Sequence, residues 1–193
     1  MIHPSITKDP RVVGVPHNYQ INNVWEEYLA VQLYIHSDLF RTFPRLKVVV
    51  CHGGGAISRH FNEDQRTGPT RQEIRDRFRD NLFYDTCGYD LDWMTGLIRQ
   101  KGVESMVFGT EVGAVGGGED GEGGGPPPAA EAAAVGEARP RSGGQRLNPA
   151  TGAPPNDVVA IVDHVEGLST EDKIKIFNTN PRRAFPLLKV AEV

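Results

Sequence analysis

The chain has 193 residues, 38% hydrophobic and 24% charged, a globular composition with enough material for one sizeable core. A formal charge of -4 with no dense Lys/Arg stripe argues against a nucleic-acid footprint, and no run approaches the roughly 18 consecutive apolar residues of a membrane span. The composition is not uniform: residues 113–155 hold 12 of the 22 glycines and 7 of the 14 prolines.

In chain order, Met1-Ile2 reads as a short extended segment ending at His3, with neither a basic stretch nor an apolar core of the kind a secretory leader carries. Asn23, with Glu26 three positions on, reads as a cap. Trp25, Leu29, Leu33 and His36 then recur at helical spacing, predicting a helix over about residues 24–37. Leu46 to Cys51, LKVVVC, is rich in β-branched residues and lies between Pro44 and Gly53-Gly54-Gly55, which predicts a buried strand. Thr70 and Glu73 open a charged segment whose narrow apolar stripe, Ile74 and Phe78, predicts an outer helix. Leu82-Phe83-Tyr84 and Met106-Val107-Phe108 read as two further strands. They flank a helix that Asp90 opens and Gly102 closes.

After Phe108 comes the glycine and proline tract. It cannot bury enough apolar surface to offset about 1–2 kcal/mol of backbone ordering per residue, so most of 116–145 is expected to be disordered. No Gly-Lys-Ser/Thr follows its glycine runs, which favours a flexible insertion over a phosphate loop. Asp157 and Ser169 then cap two last helices, the second expected to stop at Pro181. Short apolar runs alternating with helices predict an α/β protein with a parallel sheet. Cys51 and Cys87 lie far apart in apolar contexts, which points away from a disulfide framework and toward a reduced, cytoplasmic setting.

Three strand-like runs end in groups suited to metal or acid/base work: His3, His52 and Glu111, with Asp85 after a fourth run. At the C-terminal ends of parallel strands such residues become neighbours. Imidazole with carboxylate suits zinc, which lowers the pKa of water it holds to about 7. Gly53 and Gly54 let the backbone turn sharply, leaving N–H groups for a substrate carboxylate. Asp85 reads better as a turn cap into Thr86-Cys87-Gly88, His17 as a loop residue, His36 as a helix-end cation, and His60 and His164 as structural.

The strings FPRLKVVVCHGGG, NLFYDTCGYD, ESMVFGTE and IFNTNPRRAF, with MIHPS upstream, resemble the C-terminal half of amidohydrolase-related proteins, the group that includes aminocarboxymuconate-semialdehyde decarboxylase and oxalomesaconate hydratase. The resemblance implies a partial TIM (β/α)8-like barrel built from strands five to eight, over residues 1–112 and 156–193, with 113–155 as an insertion. It makes His3 a metal ligand, His52 a substrate-contacting acid/base, and Glu111 a ligand or base. Arg59 becomes a bidentate partner for a substrate carboxylate, with a solvated surface arginine as the alternative. The implied cofactor is a divalent metal, zinc with manganese as second choice. The implied reaction is hydration of an unsaturated carboxylic acid in aromatic-compound catabolism, with decarboxylation next, and the implied partner is that small carboxylate, not a nucleic acid or a membrane. No His-x-His pair occurs, and the length falls short of the roughly 250 residues of a whole barrel. The rival reading is an inactive fragment that associates with a complementing N-terminal half or with itself.

Overall fold

The computed structural model describes residues 1–4, 9–13, 18–56, 71–110, 147–154 and 156–187. Its helices are α1 (Pro10–Val13), α2 (Asn18–His36), α3 (Leu39–Thr42), α4 (Arg71–Phe78), α5 (Leu91–Lys101), α6 (Val158–His164), α7 (Thr170–Ile174) and α8 (Asn180–Ala184). Three strands, β1 (Val48–Val50), β2 (Leu82–Asp85) and β3 (Met106–Val107), form a parallel sheet in the order β1-β2-β3. Val49 lies opposite Phe83, and Asp85 opposite Val107. Ile2 bridges Val50 in parallel, donating to the Val49 carbonyl at 2.8 Å and accepting from Cys51 N at 3.1 Å. Spatial order thus follows chain order.

Strand alternation divides the sheet into two faces. Val48, Val50, Leu82, Tyr84 and Met106 point to the larger core, where Val31 and Ile35 of α2, Ile74 and Phe78 of α4, Met94, Leu97 and Ile98 of α5, and Val158, Ile161 and Val162 of α6 cover them. Val49, Phe83 and Val107 point the other way and pack with Ala184 of α8. A sheet buried on both faces explains why its strands read as continuous apolar runs rather than as alternating ones.

The predicted caps at Asp90, Asp157 and Ser169 are present. Asp90 accepts from Trp93 N, Asp157 from Ala160 N, and Ser169 and Asp172 form a reciprocal capping box. Gly102 closes α5 at φ +86, a conformation glycine adopts without cost. Both cysteines are buried, and neither is in a disulfide.

Two expectations are corrected. Helix α2 begins at Asn18, so Asn23 is internal to it, and its inward stripe is Glu27, Val31 and Ile35. The more apolar stripe faces outward: Trp25 is 63% exposed and Leu33 61%, with Leu29 also exposed. Pro181 does not stop the last helix either, since α8 runs through it to Ala184. Residues Lys175–Thr179 widen into a π turn just before it, and the Ile176 carbonyl accepts from Phe108 N on the edge of β3 at 3.0 Å. Ile176 is five residues before Pro181, the acceptor a π-spaced N–H would have used, so the proline's missing donor leaves no orphaned carbonyl.

Of the glycine and proline tract, residues 147–154 are described and form a turn. Asn148 N donates to the Ala153 carbonyl at 2.8 Å, and Gly152 N to the Asn148 carbonyl at 2.8 Å. The segment 116–145 expected to be disordered lies outside the described residues.

Candidate active site

The C-terminal ends of the parallel strands bring His3, His52 and Asp85 near one another. Because Ile2 packs toward the larger core, alternation turns His3 to the opposite face, the one that carries Asp85. The His3 and His52 rings meet edge to face with centroids 5.2 Å apart. His3 Nδ1 lies 2.8 Å from the Pro4 carbonyl. Arg59 and Glu111, the other two residues assigned to the site, lie outside the described residues, as do His17 and His60.

His52 opens a turn of unusual backbone. Its own φ is +47, rare for a residue with a side chain, and Gly53, Gly54 and Gly55 follow at +63, +76 and +79. The glycines are required, but for a different reason from the one expected. Gly53 N donates to Asp85 Oδ1 at 3.2 Å, Gly54 N to the Cys51 carbonyl at 2.8 Å and Gly55 N to the His52 carbonyl at 3.1 Å. These N–H groups hold the turn itself and are not left for a ligand as the sequence suggests. The close approach the glycines permit is to protein as well. A Cβ on Gly54 would fall 2.7 Å from the Tyr84 ring, and one on Gly55 would fall 2.9 Å from Tyr28 N of α2.

That approach brings in the residue the sequence reading missed. Glu27, on the buried side of α2, accepts a hydrogen bond from His52 Nδ1 at 2.5 Å. Glu27 is 1% exposed, and its Oε2 has no hydrogen-bond partner among the described residues. Burial pushes the Glu27 pKa up; the hydrogen bond from His52 and the imidazole charge pull it back, while nearby Asp85 raises it further. The signal that could have found it was spacing: Glu27, Val31 and Ile35 are four apart, in front of a run of three glycines that can admit a helix.

Asp85 is buried and caps its turn as the sequence suggested. Its Oδ1 accepts from Cys87 N at 3.1 Å as well as from Gly53 N, tying the end of β2 to the His52 turn. Thr86 Oγ1 and the Gly109 backbone exchange hydrogen bonds at 3.0 and 3.1 Å, and Tyr89 OH donates to the Thr110 carbonyl at 3.1 Å. These contacts fix the end of β3, just before Glu111, against the end of β2. His164 Nδ1 lies 2.7 Å from the Ala160 carbonyl within α6, and His36 is exposed at the end of α2, so both stay structural.

Among the described residues, no group of three or more His, Cys, Asp or Glu side chains is placed to hold a metal ion. His3 and His52 are adjacent, but Asp85 is committed to two backbone donors. The described residues therefore do not by themselves fit a catalytic zinc, which takes three protein ligands and an open position. What they do form is an imidazole held by a buried carboxylate beside a second imidazole, a pairing suited to proton transfer.

A family model described as Amidohydrolase matches residues 2–187, nearly the whole chain. The chain belongs to the amidohydrolase family. This amidohydrolase is 25% identical over 97% of its length to the 2-keto-4-carboxy-3-hexenedioate hydratase of Sphingobium sp. (strain NBRC 103272 / SYK-6), of which it covers 46%. Among solved structures it matches the 4-oxalomesaconate hydratase of Rhodopseudomonas palustris with a TM-score of 0.57 and 24% identity, over 84% of this chain and 42% of that one. It also matches the 2,6-dihydroxybenzoate decarboxylase of Rhizobium with a TM-score of 0.51 and 17% identity, over 96% of this chain and 50% of that one. At these identities the solved structures speak to the fold, a mixed α/β arrangement around a small parallel sheet. The chain spans less than half the length of both hydratases. Amidohydrolases are generally metal-dependent, and the relatives are enzymes of the hydratase and decarboxylase kind.

Proposed function

We propose that this amidohydrolase adds water to a carbon–carbon double bond of an unsaturated di- or tricarboxylate of aromatic-compound catabolism, with His52 as the acid/base. The observation that carries the reading is the Glu27–His52 pair beside His3 at the C-terminal edge of the sheet, in a chain whose curated relative is a hydratase. In this reading Ile2, β1, β2 and β3 correspond to the last four strands of a (β/α)8 barrel, whose reactive face lies at that edge.

Hydration forms a carbon–oxygen bond and breaks the carbon–carbon π bond. The electron pair moves to the neighbouring carbon, which then needs a proton. One imidazole is enough for the balance: His52 Nε2 takes a proton from the attacking water and returns it to that carbon, ending unchanged. Glu27 stabilises the imidazolium between the two events, and its buried setting makes that interaction stronger than it would be in water.

The family's divalent metal, zinc with manganese second, belongs to the reading; His3 would be one of its ligands, and the metal would supply Lewis acidity. Glu111 is proposed as a further ligand or base and Arg59 as a carboxylate partner. The supporting signals for these two are the sequence resemblance and, for Glu111, its place one residue after Thr110.

The test uses 2-keto-4-carboxy-3-hexenedioate as probe in 18O-labelled water. Hydration predicts one labelled hydroxyl in the product and no carbon dioxide. Release of carbon dioxide would move the assignment to decarboxylation. No turnover in the presence of zinc or manganese would favour the fragment reading, in which a complementing half is needed.

A further inference from the structure

Resting on the reading of His52 as the acid/base, we propose that Glu27 is the positioning residue for that imidazole. It fixes the proton on Nδ1, so that Nε2 is the atom presented to water and to the reacting carbon, and it balances the charge when Nε2 is protonated.

The argument begins with what stability leaves unexplained. Positions 31 and 35, on the same inward stripe of α2, carry valine and isoleucine within the core. A glutamate beside them buries a carboxylate with one oxygen bonded to His52 and the other without a hydrogen-bond partner among the described residues. Half-satisfied buried carboxylates destabilise a fold, and a hydrophobic residue of similar volume would pack there at lower cost.

The surrounding backbone is arranged around this one hydrogen bond. Gly55 approaches so closely that a Cβ there would fall 3.1 Å from Glu27 Cβ, and a Cβ on Gly54 would fall 3.1 Å from Val31 Cγ2 one turn further along α2. The His52 backbone is held separately, through Gly53 N and Asp85 Oδ1, at a φ of +47 that a side chain seldom adopts. Asp85 therefore anchors the turn while Glu27 anchors the ring. A carboxylate can only accept from an imidazole N–H, so the contact at Nδ1 selects the Nδ1–H tautomer. An imidazole oriented in this way meets its substrate without first reorganising.

The experiment compares the wild-type chain with Glu27→Gln and Glu27→Ala by long-range 1H–15N NMR, which reads the tautomer of His52, and by steady-state turnover of 2-keto-4-carboxy-3-hexenedioate. The wild type and Glu27→Gln are expected to hold His52 as Nδ1–H, because the glutamine carbonyl still accepts. Glu27→Ala is expected to revert to the Nε2–H form that an unconstrained imidazole prefers. Both variants are expected to lose roughly 10–100-fold in kcat with KM within about threefold, while Glu27→Gln melts no lower than the wild type. A wild-type His52 in the Nε2–H form, or a Glu27→Ala tautomer identical to the wild type, overturns the proposal. So does a Glu27→Gln kcat equal to that of the wild type. The tautomer measurement needs no turnover, so a chain inactive on the probe would sink the hydratase reading while leaving the role of Glu27 to the NMR result.

Discussion

A Cβ placed on Gly55 would sit 2.4 Å from the carbonyl oxygen of Val24, so the turn after His52 and the backbone of α2 are in contact with no room for a side chain between them. Gly55 also has φ +79 and ψ -126, a region only glycine enters without strain. Gly55→Ala is therefore predicted to cost about 2–3 kcal/mol, read as a lowered urea midpoint, and to push Glu27 away from His52. Gly152→Ala is the control: its φ is +67, but nothing lies within 4 Å of the added carbon, so only the conformational cost of about 1 kcal/mol applies. Equal losses at the two positions would mean that the close contact with α2 has no weight.

Lys101 supplies a pH signature. Its side chain is 1% exposed at the end of α5, with Nζ 4.7 Å from the centre of the Tyr84 ring, and burial lowers its pKa from 10.5 to about 7. The unfolded chain keeps this proton to about pH 10.4, whereas the folded chain releases it above about 7. Between those values the unfolded state binds more protons, so stability rises with pH across the window and is flat below it. The full penalty, on the order of 5 kcal/mol, applies below pH 7. Lys101→Met is predicted to be more stable than the wild type at pH 6 and to lose the upward slope between pH 7 and 10. Parallel stability curves for the two proteins would contradict this.

The C-terminal segment is tied to the strand entrances by Arg183 and Asn180. Arg183 Nη2 donates to the Arg79 carbonyl and to Asp80 Oδ1, both at 2.8 Å. Its Nη1 donates to the Glu104 carbonyl at 2.9 Å, and the guanidinium lies 5.4 Å from the Phe83 ring centre. Asn180 is fully buried, and its Nδ2 donates to the Val103 and Met106 carbonyls, both at 2.8 Å. Arg183 holds the Asp80 carboxyl below its ordinary pKa, but Asp80 is 67% exposed, so solvent screens most of that pair. Asp80→Asn is predicted to cost under about 1 kcal/mol, whereas Asn180→Leu, which takes the side-chain donor from the buried Met106 carbonyl and the acceptor from Arg183 Nη1, costs about 2–4 kcal/mol. Arg183→Lys does not rescue Arg183→Ala, because an ammonium cannot span the same acceptors. Chemical denaturation of the four variants checks the order.

Zinc titration by calorimetry gives a further test. With His3 as a proposed ligand, and no group of three ligating side chains among the described residues, the chain is predicted to bind zinc weakly. Tight one-to-one binding abolished by His3→Ala would show that the ligand set is complete.

The strands were legible in the sequence because burial on both faces leaves continuous apolar runs, as in VVV at 48–50 and LFYD at 82–85. The caps at Asp90, Asp157 and Ser169 were legible because a cap is a local event involving residues two or three apart. The inward face of α2 was not legible. Trp25, Leu29 and Leu33 form the more apolar stripe, and the opposite stripe is buried through a contact with Gly53-Gly54-Gly55, some 25 residues further along the chain. Glu27 was missed for the same reason, since its partner is defined by tertiary contact alone. The triple glycine drew attention correctly, but its N–H groups close the turn, and its open space admits a helix. Pro181 misled because the rule that proline ends a helix assumes α spacing, and the π turn before it gives the freed Ile176 carbonyl to β3.

The most direct test of the account is the turnover of 2-keto-4-carboxy-3-hexenedioate by the wild-type chain and by His52→Asn, followed as loss of the conjugated double bond, with melting curves taken on the same samples. Removing the acid/base predicts a fall in kcat of at least roughly 100-fold with the melting temperature preserved. A His52→Asn variant that hydrates the probe at the wild-type rate would contradict the account.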